Sequence, residues 1–408
     1  MFRRCTEKLY WGPRMTWICF LTCWATVSLT ITLQDEASST VSTSQCLAEC
    51  ICLSFTQVLC NTGGLHEIPN GSLPLTVEDL SLTKNNFPII RREAFTAHRY
   101  LRKLTLDGNN ISLIKPFAFR GLPHLRKLSI QHTPLSYVGQ YSFAALQNIT
   151  MLVLAHNKIR YIEGYSFAGT DNVKFIFLSN NPLVTIQSYA FSGLKNVERL
   201  ILPSGIKEIE SDAFNNLQHI GLLKLTYMDL KRLLPYTFRA LSYVHVLSIQ
   251  ESDLGVIYKD AFTGLRRINN LNILNNKIDA IKQLNLSADN EIGTFRFLGN
   301  HILEAPRASD TILDVGTISA LNNHFPCDCQ IHNVLESDFV NGSTMEFQLH
   351  NFCISPIEFN GKPMSVVDFD GIAKCHEKVF KDNLGSRGQD LRSTLILIMF
   401  FLAVSNFF

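Results

Sequence analysis

Apolar residues return along the middle of the chain every 23 or 24 positions. Displaced by 24, "LRKLTLDGNNISLIKPFAFRGLPH" (101–124) meets "LRKLSIQHTPLSYVGQYSFAALQN" (125–148), then "ITMLVLAHNKIRYIEGYSFAGTDN" (149–172), then "VKFIFLSNNPLVTIQSYAFSGLKN" (173–196). The shared frame is L-x-x-L-x-L-x-x-N-x-L-x-x-L, then Phe after four intervening residues. Copies begin at Val77, Leu101, Leu125, Ile149, Val173, Val197, Ile220, Val244, Ile268 and Ile292, with a last partial copy from Val315. The pattern predicts one short strand per copy, L-x-L, whose leucines point inward while the residues between them point out. The Asn that follows turns the chain and can bond the backbone of neighbouring copies. Phe95, Phe119, Phe143, Phe167, Phe191, Phe214, Phe238 and Phe262 fall in register, which predicts a column on the convex side. One copy cannot bury its leucines and its Phe alone, and stacked copies can. Eleven strands at about 4.8 Å make a recognition surface roughly 50 Å long.

In this frame Ile176 and Leu178 are inward, so Phe175 and Phe177 face out. Their neighbours are Met151 and Val153 on one side and Arg199 and Ile201 on the other, with Leu222 and Val246 extending the apolar trend and Lys224 beside it. The first three strands carry Asp79, Ser81, Thr83, Lys103, Thr105, Asp107, Lys127, Ser129 and Gln131 instead. A contiguous exposed apolar patch with aromatics and Arg is the composition of an interface. Shielding by the protein's own glycan is the plainer alternative. The Asn column holds at 85, 109, 157, 181, 276, 300 and 323 and is broken by Thr133, Met228 and Ser252, and by the shortened stretch "LPSGI" (202–206). Such breaks read either as drift, with hydroxyls standing in for the amide, or as a local change of curvature.

The ends differ in character. After Arg3, Arg4, Lys8 and Arg14, the apolar run "MTWICFLTCWATVSLTITL" (15–33) and the polar stretch 34–45 read as a signal peptide cleaved near 28–36, or else as a membrane anchor. The chain closes with "LILIMFFLAVSNFF" (395–408), short of the ~20 apolar residues that span a bilayer. With the small polar segment before it, this reads as a glycosylphosphatidylinositol signal attached at Asn383, Gly385 or Ser386, a short membrane helix being the alternative. Eight of eleven cysteines lie beyond the signal segment, as Cys46, Cys50, Cys52, Cys60 and as Cys327, Cys329, Cys353, Cys375. In a secreted chain that implies disulfides, with three connectivities open for each four, against the rival reading of zinc sites. Sequons at Asn70, Asn110, Asn148, Asn285 and Asn341 fit the same compartment.

Frame, flanking cysteines and "NNHFPCDC" (322–329) together resemble the extracellular leucine-rich repeat family, from 46 to 375. His324 stands where that family usually has proline, and Asn333 where it often has tryptophan. The resemblance implies an α/β repeat solenoid, a curved horseshoe with a parallel concave sheet and disulfide-bonded caps. It implies bonds Cys46 to Cys52, Cys50 to Cys60, Cys327 to Cys353 and Cys329 to Cys375. The expected segments are signal peptide 1–33, linker 34–45, N-terminal cap 46–76, ten repeats 77–314, partial repeat and C-terminal cap 315–380, and anchor signal 381–408.

A net charge of +2 argues against nucleic-acid binding. His132, His156, His219 and His245 are scattered over turns and repeat surfaces, and no H-E-x-x-H, G-x-S-x-G or P-loop pattern occurs, so neither enzyme, metal nor cofactor is expected. The expected function is cell-surface recognition or adhesion through the concave face. The partner would be an extracellular protein ligand or co-receptor, homophilic association included, with the membrane reached through the lipid anchor and no signalling domain of its own. The neural setting of lipid-anchored relatives is analogy alone. Rival readings are an innate-immune pattern-recognition co-receptor and a matrix-binding structural protein, although glycosaminoglycan binding would call for clustered Lys and Arg. Phosphatidylinositol-specific phospholipase C is expected to release the protein from the cell surface; retention after treatment would rule out the lipid anchor.

Overall fold

The computed structural model describes residues 46–375, all within one unit of the chain, Ser44–Phe408. The signal segment, the linker, the anchor attachment positions and the end of the C-terminal cap, 376–380, lie outside the described residues. One parallel sheet of thirteen strands organises the rest, opening with the antiparallel hairpin Ile51–Cys52 and Gln57–Leu59 and ending at Thr317–Leu321. In the early repeats each strand has three residues, of which only the middle one is buried in Lys103–Thr105 and Met151–Val153, Ser129 being buried beside Leu128 in Lys127–Ser129. From the sixth repeat the strands lengthen, to six residues in Asn196–Ile201 and eight in His219–Thr226 and Tyr243–Gln250. Helix among the described residues is slight: Ile331–Leu335 and Thr344–His350 in the C-terminal cap, plus short 3-10 turns.

The opposite wall explains the curvature. All eight column phenylalanines are at most 2% exposed, which makes them core rather than surface. Their rings stack nearly parallel, with centroids 5.5 to 6.1 Å apart. Strands in the facing sheet sit only about 4.8 Å apart. A stack that is wider at the rings than at the strands must bend toward the strands, so the long sheet is the concave face. Beyond Phe262 the column stops, and the short parallel pair Leu284–Leu286 and Thr311–Leu313 takes over the packing.

Asn side chains seam the turns. The Asn276 carboxamide donates to the Ile249 carbonyl, and its Oδ1 accepts from the Ser252 backbone N–H at 3.0 Å. Asn300 repeats the motif for Asn276, and Asn323 for Asn300. Where Asn is missing, hydroxyls step in: Thr133 donates Oγ1–H to Asn157 at 2.8 Å, and the Ser252 hydroxyl accepts from the Met228 N–H at 3.0 Å. Met228 itself is buried among the apolar side chains.

Both ends are closed by bonded cysteines, Cys46–Cys52 and Cys50–Cys60 at one and Cys327–Cys353 and Cys329–Cys375 at the other. The C-terminal cap continues the solenoid by one step, because Asn351 gives Asn323 the same carboxamide contact at 3.0 Å and Phe352–Ser355 pairs beside His324–Pro326. Its interior is filled by Phe325, Phe339 and Phe347 against Phe297, while Asn333 sits half-exposed. At the other end His98 is buried, its Nε2 on the Pro69 carbonyl at 2.9 Å and its Nδ1 without a partner. Burial pushes this imidazole below its ordinary pKa, the bond to Pro69 opposing the shift.

Two expectations follow. Phe167→Ala opens a gap in the middle of the column and should cost about 3–5 kcal/mol, read as a lowered urea midpoint; an unchanged midpoint would remove the column from the stabilising core. His98 resists protonation in the fold but not in the unfolded chain, so its contribution is complete above about pH 6.5 and is lost as pH falls from there through the lowered folded pKa. Thermal unfolding should therefore soften below about pH 6.5, and less so in His98→Gln.

Candidate functional site

The frame leaves one face of each concave strand free of any packing duty, and the site is built from those positions. Register is continuous: Lys127 lies beside Met151, Met151 beside Phe175, Phe175 beside Arg199, Arg199 beside Leu222 and Leu222 beside Val246. The second outward row runs Ser129, Val153, Phe177, Ile201, Lys224 and Ser248. Ile176 and Leu178 are 0% exposed. Phe175, Phe177, Met151, Val153, Ile201, Leu222 and Val246 are half-buried, each covered sideways by its neighbours, whereas Arg199 and Lys224 stand exposed. All nine expected contact residues thus meet on one surface, with the Phe175–Phe177 strand seventh of the thirteen.

The surroundings are polar and largely engaged with one another. Lys103 pairs with Asp79 at 2.9 Å. Asp107 accepts from the Ser129 hydroxyl at 2.8 Å and from the Gln131 backbone N–H at 3.0 Å. Beyond Val246 the rows continue with Asn270, Thr294 and Thr317, and with Asn272, Arg296 and Ser319. At the strand entrances Lys174 pairs with Glu198 at 2.9 Å. Arg199 and Lys224 have no carboxylate partner among the described residues.

Of the five sequon asparagines, Asn70, Asn110, Asn148 and Asn341 are exposed, and Asn285 is half-buried with Oδ1 unpartnered. Asn148 enters the strand three residues ahead of Met151, so a glycan there would leave from the sheet edge beside the patch. His132 and His156 stack at 4.9 Å on adjacent turns. Among the described residues no three His, Cys, Asp or Glu side chains gather to hold a metal ion, and no helix is long and apolar enough to cross a membrane.

Sequence reasoning missed a second aromatic array, on the flank opposite the sheet. Phe117, Tyr141, Tyr165 and Tyr189 stack at 5.7, 6.4 and 5.6 Å, each with φ near +60°. Every one stands two residues before a column Phe, as in "GYSF" (164–167), and that recurrence was its signal.

Family models agree with this geometry: "Leucine rich repeat" matches 75–135, 124–183 and 147–204, and "BspA type Leucine rich repeat region (6 copies)" matches 177–292. The chain belongs to the leucine-rich repeat family. Among curated proteins this leucine-rich repeat chain has no match. Three solved structures are similar to it. Human 5T4 (Wnt-activated inhibitory factor 1, trophoblast glycoprotein) is 18% identical over 81% of this chain and 100% of that one, with TM-score 0.39. A chain of the complex of Latrophilin 3, Unc5D and FLRT2 (LRR) is 22% identical over 79% and 98%, with TM-score 0.49. The mouse RP105/MD-1 complex is 19% identical over 78% and 53%, with TM-score 0.44.

Proposed function

We propose that this leucine-rich repeat protein is a cell-surface recognition or adhesion molecule that binds an extracellular protein, on its own or an opposing cell, through the concave face. A lipid anchor at Asn383, Gly385 or Ser386 tethers it to the outer leaflet, and it works by adhesion or beside a co-receptor. The observation that carries this reading is the placing of Phe175 and Phe177 at the centre of an apolar patch on a sheet whose other strands are polar. Their burial contributes nothing to the core, since Ile176 and Leu178 alone supply that strand's inward side chains. Half-covered apolar side chains with an aromatic centre gain most from a partner that removes the remaining water. Four bonded cysteine pairs at the ends fit an oxidising compartment.

A multivalent secreted form spanning 34–380 should bind a member of a panel of cell-surface and secreted proteins, and Phe175→Glu with Phe177→Glu should abolish that binding without lowering secretion. Loss of secretion would put the two rings in the core, and binding only to lipid or glycan arrays would move the function to the immune or matrix readings.

A further inference from the structure

The first three repeats are strongly cationic. Residues 77–148 contain ten Lys and Arg against four Asp and Glu. All four acids are taken. Glu78 pairs with Arg102 at 2.9 Å, Asp79 with Lys103 at 2.9 Å, and Glu93 with Arg92 and Arg120 at 3.4 and 3.5 Å. Asp107 is held by Ser129 and Gln131. Arg126 and Lys127 have no acidic partner among the described residues.

These charges are also placed side by side. Lys103 and Lys127 are direct neighbours on the concave sheet, and the Arg126 N–H bonds the Arg102 carbonyl at 2.7 Å, so the two guanidinium side chains start from adjacent strands. Like charges in that relation oppose folding; Glu78 and Asp79 offset this for Arg102 and Lys103, and no acid does so for Arg126 and Lys127 among the described residues. The next residue in the same row is Met151, and the next Phe175. Cationic block and apolar patch are therefore one surface with a direction. At the other border of the patch Asn270, Asn272 and Thr294 are uncharged, and Arg296, the one cation in these rows there, bonds the Asn272 Oδ1 at 3.5 Å.

We infer that the partner is a protein segment carrying carboxylates beside its apolar anchor, docked with its acidic side toward the N-terminal cap. This rests on the concave-face reading above and adds chemistry and orientation to it. Seated that way, carboxylates meet Arg126 and Lys127 while the anchor covers Met151, Phe175 and Phe177. Turned round, they would face the Asn and Thr border, whose Arg296 already bonds Asn272, and leave Arg126 and Lys127 unmatched, while Arg199 and Lys224 within the patch are reached either way. A sulfated glycan could use the cations but would gain nothing from the adjoining apolar patch. Charges at the border of an apolar contact steer association and make it sensitive to salt.

The test is selection of phage-displayed random peptides on cells carrying the full chain, run in parallel on Arg126→Glu/Lys127→Glu and on Phe175→Glu/Phe177→Glu. Peptides with Asp or Glu next to Phe, Leu or Trp should be enriched. Their binding should weaken with salt, fall about tenfold or more on the charge-reversed protein, and return there when the peptide's acids become Lys. Equal selection on wild type and on the charge-reversed protein, or enrichment of neutral or basic peptides, overturns the inference. If the Phe variant alone loses binding, the concave-face reading survives and the acidic partner does not. Binding that persists in the Phe variant and is displaced by heparin overturns both and makes the block a sulfated-glycan site.

Discussion

Each inner column phenylalanine, from Phe119 to Phe238, is buried between a ring on either side of it. An isolated repeat would leave the ring and two leucines in water, so the fold exists as a stack or not at all. Ring-to-ring distances of 5.5 to 6.1 Å set the outer pitch, and hydrogen-bonded strands set a shorter inner one. The concave face follows from that mismatch. Stacking also separates duties: rings and leucines supply stability, while outward positions on the strands carry no packing duty.

This separation explains what could be read from the sequence. Inward leucines and column phenylalanines recur because packing demands them, so the period gives strand register and hence the outward position of Phe175 and Phe177 directly. The cap's extra step through Asn351 was hidden, since no leucine frame surrounds "NFCIS" (351–355) and the Asn acts only once the cap has folded against Asn323. The cap interior was hidden too. Phe339 fills it from the turn after the helix Ile331–Leu335, and Phe347 from the helix Thr344–His350, at a spacing that has nothing to do with the repeat. Cation clustering was present in the letters of the first strands but looked like ordinary polar surface. Only the bonding of Glu78, Asp79, Glu93 and Asp107 shows which cations are left over.

Breaks in the Asn column lie close to the patch, and their structural effect is small. Between Asn181 and Asn276 no carboxamide stands at the column position. Backbone pairing there nonetheless reaches Thr226 and Gln250, and Ser252 takes over the acceptor role for Met228. A turn position needs an acceptor and a donor more than it needs Asn, and a hydroxyl with longer strands meets that need. Drift therefore accounts for these breaks without a special curvature.

Polarity along the concave face is different, because no packing requirement produces it. Folding would proceed as well, or better, with Arg126 and Lys127 replaced by Ser or Thr, since neither has an internal partner and Lys127 faces Lys103 across the strands. The same holds for Phe175, whose place Thr294 and Thr317 fill on other strands, and for Phe177, whose place Thr105 and Ser129 fill. Two independent departures from what the fold needs thus lie on one surface with a single strand, Met151–Val153, between them. The partner proposed above would account for both the uncompensated charge and the wet apolar area. Cation block and aromatic patch are contiguous, so one ligand that satisfies both is a simpler account than two that each leave the other uncovered.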